Sequence, residues 1–221
     1  MEAYLDNAAT TIPFAEVREI MMQTMEIEYG NPSSMHKKGV EAEKYVREAK
    51  EIIAKSLKVQ EKEIIFTSGG SESNNMAIKG LLDAYGGIKN IITTKIEHPS
   101  VSKTCIYMKT KGYKLYTAPI DCFGRVDVEK LESLISDNNL LFSLVSIMMA
   151  NNEIGTLNNI AEISKVVHRY GCTLHVDAVQ AYMHIPIDVE ALGIDLLSAS
   201  FHKLGGFKIS QSFDDMKAYF E

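Results

Sequence analysis

The sequence is poor in everything that would set it apart from an ordinary globular chain. It has only three cysteines in 221 residues, Cys105, Cys122 and Cys172. An odd number at such wide spacing makes neither a disulfide framework nor a zinc pattern, and it suits a reducing compartment. Five prolines and 14 glycines are too few for a collagen-like or low-complexity chain. Basic charge is scarce as well: 23 Lys and Arg against 29 Asp and Glu leave a net charge of −6. Without a basic field there is nothing to hold a phosphodiester backbone. No apolar run approaches the length that crosses a bilayer, and Met1-Glu2-Ala3-Tyr4-Leu5-Asp6 does not read as a signal peptide. The expectation is a cytoplasmic protein with no nucleic-acid and no membrane partner.

What the sequence does have is 46% hydrophobic residues in a chain long enough to bury one core. Short β-rich runs at 64–67, 90–94, 113–116, 140–148, 173–177 and 195–199 alternate with segments of helical period at 40–57, 72–84, 100–110, 127–135 and 160–170. In the first of these helices Ala42, Val46, Ala49, Ile53 and Leu57 recur at three- and four-residue steps, with Glu and Lys between them. This alternation predicts an α/β fold of three layers, a mostly parallel sheet covered by helices on both faces. Residues 1–209 read as one domain. Residues 210–221 read as a divergent tail, with Phe213, Met216 and Phe220 at the spacing of a short amphipathic helix.

Ligands of open parallel sheets collect beyond the carboxyl ends of the strands, so the residues just past each expected strand are the candidates. After 64–67 comes Ser68-Gly69-Gly70-Ser71, leading into a helix. Glycines permit close backbone approach, a helix start attracts anions, and Ser71 suits either a helix cap or a phosphate donor. It is not a nucleotide P-loop, because no Gly-Lys-Ser/Thr closes it. After 90–94 comes His98, with Pro99 placed to open a helix. After 140–148 come Asn151, Asn152 and Glu153, polar groups that are costly beside a buried strand unless partnered. After 173–176 come Asp177 and Gln180, the acid suited to a helix cap or to a buried cation. After 195–199 come Ser200, His202 and Lys203. A lysine at a buried strand end is expected to lose solvation and become partly nucleophilic. An anion turn, an imidazole, an amide, an acid and a lysine together ask for a ligand with a phosphate, a flat ring, a protonatable nitrogen and an aldehyde. Pyridoxal 5′-phosphate meets all four demands. A metal-dependent hydrolase is a poor reading, because His98, His175, Asp177 and His202 have no helix-face ligand spacing.

These segments resemble, in order, those of the cysteine desulfurases in the class V aminotransferase group. The matching stretches are Tyr4-Leu5-Asp6-Asn7-Ala8-Ala9-Thr10-Thr11, Gly30-Asn31-Pro32-Ser33-Ser34, residues 66–74, Glu97-His98, Asn151-Asn152-Glu153-Ile154-Gly155, His175-Val176-Asp177-Ala178-Val179-Gln180 and His202-Lys203. The resemblance implies the large domain of a fold-type I pyridoxal-phosphate enzyme. Lys203 would carry the cofactor covalently and Asp177 would pair with its ring nitrogen. His98 would lie on the ring and relay protons, Gln180 would bond its phenolic oxygen, and Asn152 would lie beside it. Gly70, Ser71, Ser200 and His202 would hold the phosphate, with no metal involved. The reaction implied converts L-cysteine to alanine, with sulfur passed through an enzyme persulfide to an acceptor protein for iron–sulfur clusters or tRNA thiolation. The assembly implied is a homodimer. A related aminotransferase, a selenocysteine lyase and a non-catalytic fragment share these features. The chain departs from the pattern at Phe201, where glycine is usual, and the ring is expected to crowd the phosphate end. It also spans only the N-terminal part of such enzymes. None of its cysteines stands at the sulfur-accepting position, which implies that this chain alone does not turn over cysteine.

Overall fold

In a computed structural model, residues 3–206 are described. Among these residues five strands form one sheet in the order β2-β1-β3-β4-β5. They are β1 (Asn90–Thr93), β2 (Lys114–Thr117), β3 (Leu144–Met148), β4 (Thr173–Asp177) and β5 (Leu196–Ser198). Every pairing is parallel, which requires a crossover between successive strands. The crossovers are made by α4 (Pro99–Thr110), α5 (Val128–Asp137), α6 (Ile160–Arg169) and α7 (Val189–Leu192). Ahead of the sheet come α1 (Ala15–Glu26), α2 (Lys37–Leu57) and α3 (Gly70–Ala84). No helix among the described residues is long and apolar enough to cross a membrane.

Strand alternation sends neighbouring side chains to opposite faces, and the core divides accordingly. Ile91 of β1 and Leu144 of β3 pack with Ile78 and Leu82 of α3 and with Val101, Cys105 and Met108 of α4. Ile92, Val145, Ile147, Leu174 and Val176 pack on the other face with Leu131 and Ile135 of α5 and Ile160, Ile163 and Val167 of α6. The result is the three-layer α/β/α arrangement expected from the alternation. The helix starts are held locally. Asp127 accepts a hydrogen bond from the Lys130 N–H to open α5, and Asn159 accepts from Glu162 N–H to open α6. Pro99 occupies the first turn of α4, where its missing N–H costs nothing.

The expected elements need correction in several places. Residues 64–67 form no regular element and pair with no strand among the described residues. A β-rich run becomes a strand only when a neighbour takes its N–H and C=O groups, and here Ile65 and Phe66 remain exposed. The apolar run from 140 enters the sheet only at Leu144, because Asn139 and Phe142 have positive φ (50° and 52°) and turn the chain first. Helix α1 had no counterpart in the expected elements, and none of its residues is buried. The amphipathic helix expected within 210–221 lies outside the described residues.

The close-packed centre of the sheet makes a testable expectation. Leu174 in β4 is fully buried, so Leu174→Ala should lower unfolding stability by about 2–5 kcal/mol. Urea denaturation measures this, and a loss below about 1 kcal/mol would contradict tight packing at that point.

Candidate active site

The carboxyl ends of β1, β3, β4 and β5 open onto one cavity of about 830 Å³. His98 after β1, Asn152 after β3, and Asp177 and Gln180 at the end of β4 all line it. So do Ser200, His202 and Lys203 after β5, and Gly70 and Ser71 at the start of α3. The sheet thus brings the residues expected to hold the cofactor, from Gly70 to Lys203, into one space, whereas Asn151 is not part of its lining.

Asp177 closes β4 and is only 4% exposed. Its Oδ1 accepts from the Val179 N–H at 3.0 Å, and its Oδ2 accepts from the Asn74 amide at 2.8 Å. It therefore makes a turn cap with no helix after it. Burial pushes its carboxyl up from the usual carboxylate range, while these two donors and the nearby His98 and Lys203 pull it back. The same Asn74 nitrogen donates to Ser100 Oγ at 2.9 Å, and that hydroxyl lies 2.7 Å from His98 Nδ1. The Ser100 N–H also donates to Nδ1, at 3.1 Å. His98 is therefore the N-cap of α4 through Nδ1, which leaves Nε2 to carry the proton of the neutral ring. A continuous hydrogen-bonded line joins Asp177, Asn74, Ser100 and His98. Asn74 and Ser100 were not singled out from the sequence, since only their three-dimensional neighbours give them a role.

Helix α3 begins at Gly70, with Gly69 as its cap. Ser71 is therefore in the first turn rather than at the cap. A Cβ on Gly70 would lie 2.7 Å from Val179 Cγ2, so only glycine lets the helix start sit this close to the segment behind Asp177. Glu72 reaches back to accept from the Ser68 N–H at 2.5 Å and its hydroxyl at 2.7 Å. The hydroxyl bond is the main reason its carboxyl stays below the usual range.

Lys203 is half-buried and sits in a short 3₁₀ turn, Phe201–Lys203, rather than at a buried strand end. Its Nζ donates to the carbonyls of Ala8 and Ala9. Gln180 donates to Ala8 O as well, at 2.8 Å. Thr11 and Gly205 continue this clasp: the Thr11 N–H and hydroxyl donate to His202 O, and the Gly205 N–H donates to Thr11 Oγ1. The amino-terminal segment was recognisable as a motif, but its contact with the lysine turn left no local signal. Phe201 borders the cavity, with its ring edge-on to Tyr182 at 5.9 Å. Its φ is not positive, so the backbone at this position does not demand glycine. Asn152 bonds its neighbour Glu153 at 2.9 Å. The buried Asn151 donates to Ile96 O at 3.0 Å and ties the β3 loop to the β1 loop.

None of the three cysteines lines the cavity. Cys105 is buried in α4 and its thiol is pushed up to about 12 by desolvation. Cys172, just before β4, is raised by the same cause. Cys122 lies exposed in a loop.

Beneath Asp177 a polar row crosses the sheet. Ser146 Oγ meets His175 Nδ1 at 2.8 Å, His175 Nε2 meets Ser198 Oγ at 3.0 Å, and Ser73 of α3 donates to Ser198 Oγ at 3.0 Å. This row fastens the start of α3 to the strands that carry the acid. His175 is fully buried, and desolvation pushes its pKa down to about 4.

The sequence model of the aminotransferase class-V family matches residues 3–208. A cysteine desulfurase IscS of Dictyoglomus turgidum is 46% identical over 208 residues, which cover 94% of this chain and 52% of that protein. A cysteine desulfurase IscS of Methanosarcina thermophila is 43% identical over 206 residues, 93% of this chain and 50% of the relative. Among solved structures, a NifS-like protein superposes with a TM-score of 0.89 at 40% identity, covering 94% of this chain and 57% of that one. The structure titled SspA in complex with cysteine has a TM-score of 0.87 at 36% identity, covering 94% and 59%. The chain spans about half the length of the curated relatives it matches.

The buried imidazole predicts a pH effect. His175 binds no proton in the folded chain down to about pH 4, whereas unfolded histidine takes one up below about 6.5. Its contribution is present above pH 6.5 and lost as pH falls toward 4. The stability gap between wild type and His175→Gln should therefore narrow across that window. Denaturant melts at several pH values measure it, and a gap independent of pH would count against a neutral, buried imidazole.

Proposed function

Because the chain belongs to the class V aminotransferase family, we propose that its cavity binds pyridoxal 5′-phosphate and that the whole protein acts as an L-cysteine desulfurase. The observation that carries this reading is the cavity itself: the buried Asp177 carboxylate, Lys203, His98 and the start of α3 share one space of about 830 Å³. The residues present fit the cofactor. Among the described residues the hydrogen-bond donors to Asp177 are neutral N–H groups, so a protonated ring nitrogen would supply the charge-assisted partner that a buried carboxylate favours. The close approach at Gly70 leaves the helix start beside the same cavity, where an anion gains from free N–H groups.

Gly70, Ser71, Ser200 and His202 would hold the phosphate, and Asp177 would keep the ring nitrogen protonated. When bound, the cofactor would supply an electron sink for charge developing at the substrate's α-carbon. Lys203 would anchor it through Nζ and then move the α-proton. His98, its Nδ1 engaged by Ser100, would have Nε2 available for proton traffic. Gln180 and Asn152 would orient ring and substrate. The sulfur-accepting thiol is not among the cavity residues described, which favours a second reading: a cofactor-binding chain that depends on further polypeptide for turnover. For the whole protein we place the reaction in the cytoplasm, in a homodimer passing sulfur to an acceptor protein for iron–sulfur clusters or thiolated tRNA. The cytoplasmic assignment rests on three unpaired cysteines.

Adding pyridoxal phosphate to the purified chain should produce a near-visible absorbance band that survives gel filtration. Lys203→Ala should abolish the band, and Asp177→Asn should weaken cofactor retention at least about tenfold, the scale of one lost charge-assisted bond. A chain that gives no such band, or an unchanged band in Lys203→Ala, would overturn the reading.

A further inference from the structure

Glu97 stands next to His98 in the turn between β1 and α4, and the proposed chemistry makes no use of it. It is only 7% exposed. Its Oε1 accepts from Thr94 Oγ1 at 2.7 Å, and the backbone N–H of Met148 in β3 lies near enough to act on the carboxyl electrostatically. Oε2 is buried and has no hydrogen-bond partner among the described residues. The groups with charge or titratable protons around it are Asp177 at the end of β4, Cys105 on α4 and the adjoining His98. The carboxyl draws no compensating ion pair from Lys or Arg among the described residues. Ionised, it would be a second buried negative charge acting on Asp177, with one oxygen lacking a donor. Such a charge is disfavoured on solvation grounds alone.

We propose that Glu97 is a positioning residue that works as the uncharged acid. It ties the turn carrying His98 back to Thr94 at the end of β1 while leaving Asp177 as the carboxylate charge of the cavity. Its consequence for a bound ligand rests on the cofactor reading, whereas the uncharged strut stands on this chain alone. One hydrogen bond ties the carboxyl to Thr94, and Asn151 braces the same turn through Ile96 O at 3.0 Å. His98 is the next residue, so a displaced Glu97 would carry the imidazole with it. Desolvation agrees with this assignment, pushing the carboxyl up to about 8.

An acid held protonated in this way fixes the sign of the pH effect. Below about pH 4.5 both folded and unfolded chains hold the proton; above that the unfolded chain loses it, while the folded chain keeps it up to about 8. Stability therefore falls as pH rises through this window and levels off beyond it. His175 titrates below 6.5 with the opposite sign, so the clean interval is pH 6.5–8. Across it the unfolding equilibrium of the cofactor-free wild type should shift about tenfold more than that of Glu97→Gln. Cys105, Asp177, His98 and Lys203 are common to both proteins and cancel in the comparison. Glu97→Gln keeps an acceptor for Thr94, so it should retain the wild-type pyridoxal-phosphate absorbance, while Glu97→Ala should weaken retention at least fivefold. Equal pH slopes in wild type and Glu97→Gln would overturn the uncharged state. Equal cofactor retention by the Gln and Ala variants would overturn the positioning role. If wild type binds no cofactor but the slopes differ as expected, the uncharged acid stands and the cofactor reading fails. Should Glu97→Ala not fold, the slope comparison still decides the uncharged state, and Glu97→Asp, one methylene too short to reach Thr94, replaces Ala in the retention comparison.

Discussion

A carboxylate taken out of water at the end of a parallel strand must be stabilised by its surroundings, and the surroundings of Asp177 organise this molecule's cavity. Two neutral donors meet its oxygens, one from the backbone of Val179 and one from the Asn74 side chain. Burial works against the charge, and the nearby His98 and Lys203 work for it. The second hydrogen of the Asn74 amide goes to Ser100 and thence to His98. One amide group therefore links the acid at the cavity floor to the imidazole at its wall. Because α3 carries Asn74, anything that shifts the helix start shifts both functional groups together.

The neighbouring layers serve that arrangement. The row Ser146, His175, Ser198 and Ser73 joins α3 to β3, β4 and β5 from below. It is satisfied by hydroxyls and a neutral imidazole, so it adds no charge to a region already holding one carboxylate. From above, the amino-terminal segment closes on the lysine turn through Ala8, Ala9 and Thr11. Within the class V aminotransferase family this geometry is the frame for the proposed pyridoxal-phosphate chemistry, and the chain spans about half the length of the curated relatives it matches.

Much of this was legible in the amino-acid order. The alternation of β-rich and helical segments led to the parallel three-layer sheet. Positions just past the expected strands pointed to His98, Asn152, Asp177, Gln180 and Lys203, because the carboxyl ends of parallel strands share one side of the sheet. Residues 64–67 misled for a reason of principle: Ile64, Ile65 and Phe66 have strand propensity, but pairing is a property of the neighbour and not of the run. The clasp of Ala8 and Ala9 on Lys203 joins positions nearly two hundred residues apart, and such contacts leave no periodicity to read. Asn74 and Glu97 were visible only as letters of a motif. Their roles depend on burial and on unpaired oxygens, which composition and spacing do not record.

The central claim is that Asp177 holds a protonated ring nitrogen at the floor of this cavity. Nitrogen-15 NMR of the chain loaded with ring-labelled pyridoxal phosphate tests it most directly. The account predicts an upfield, pyridinium-type resonance in the wild-type protein that moves to the neutral pyridine position in Asp177→Asn. A neutral-type signal in wild type, or one that ignores the substitution, would contradict it.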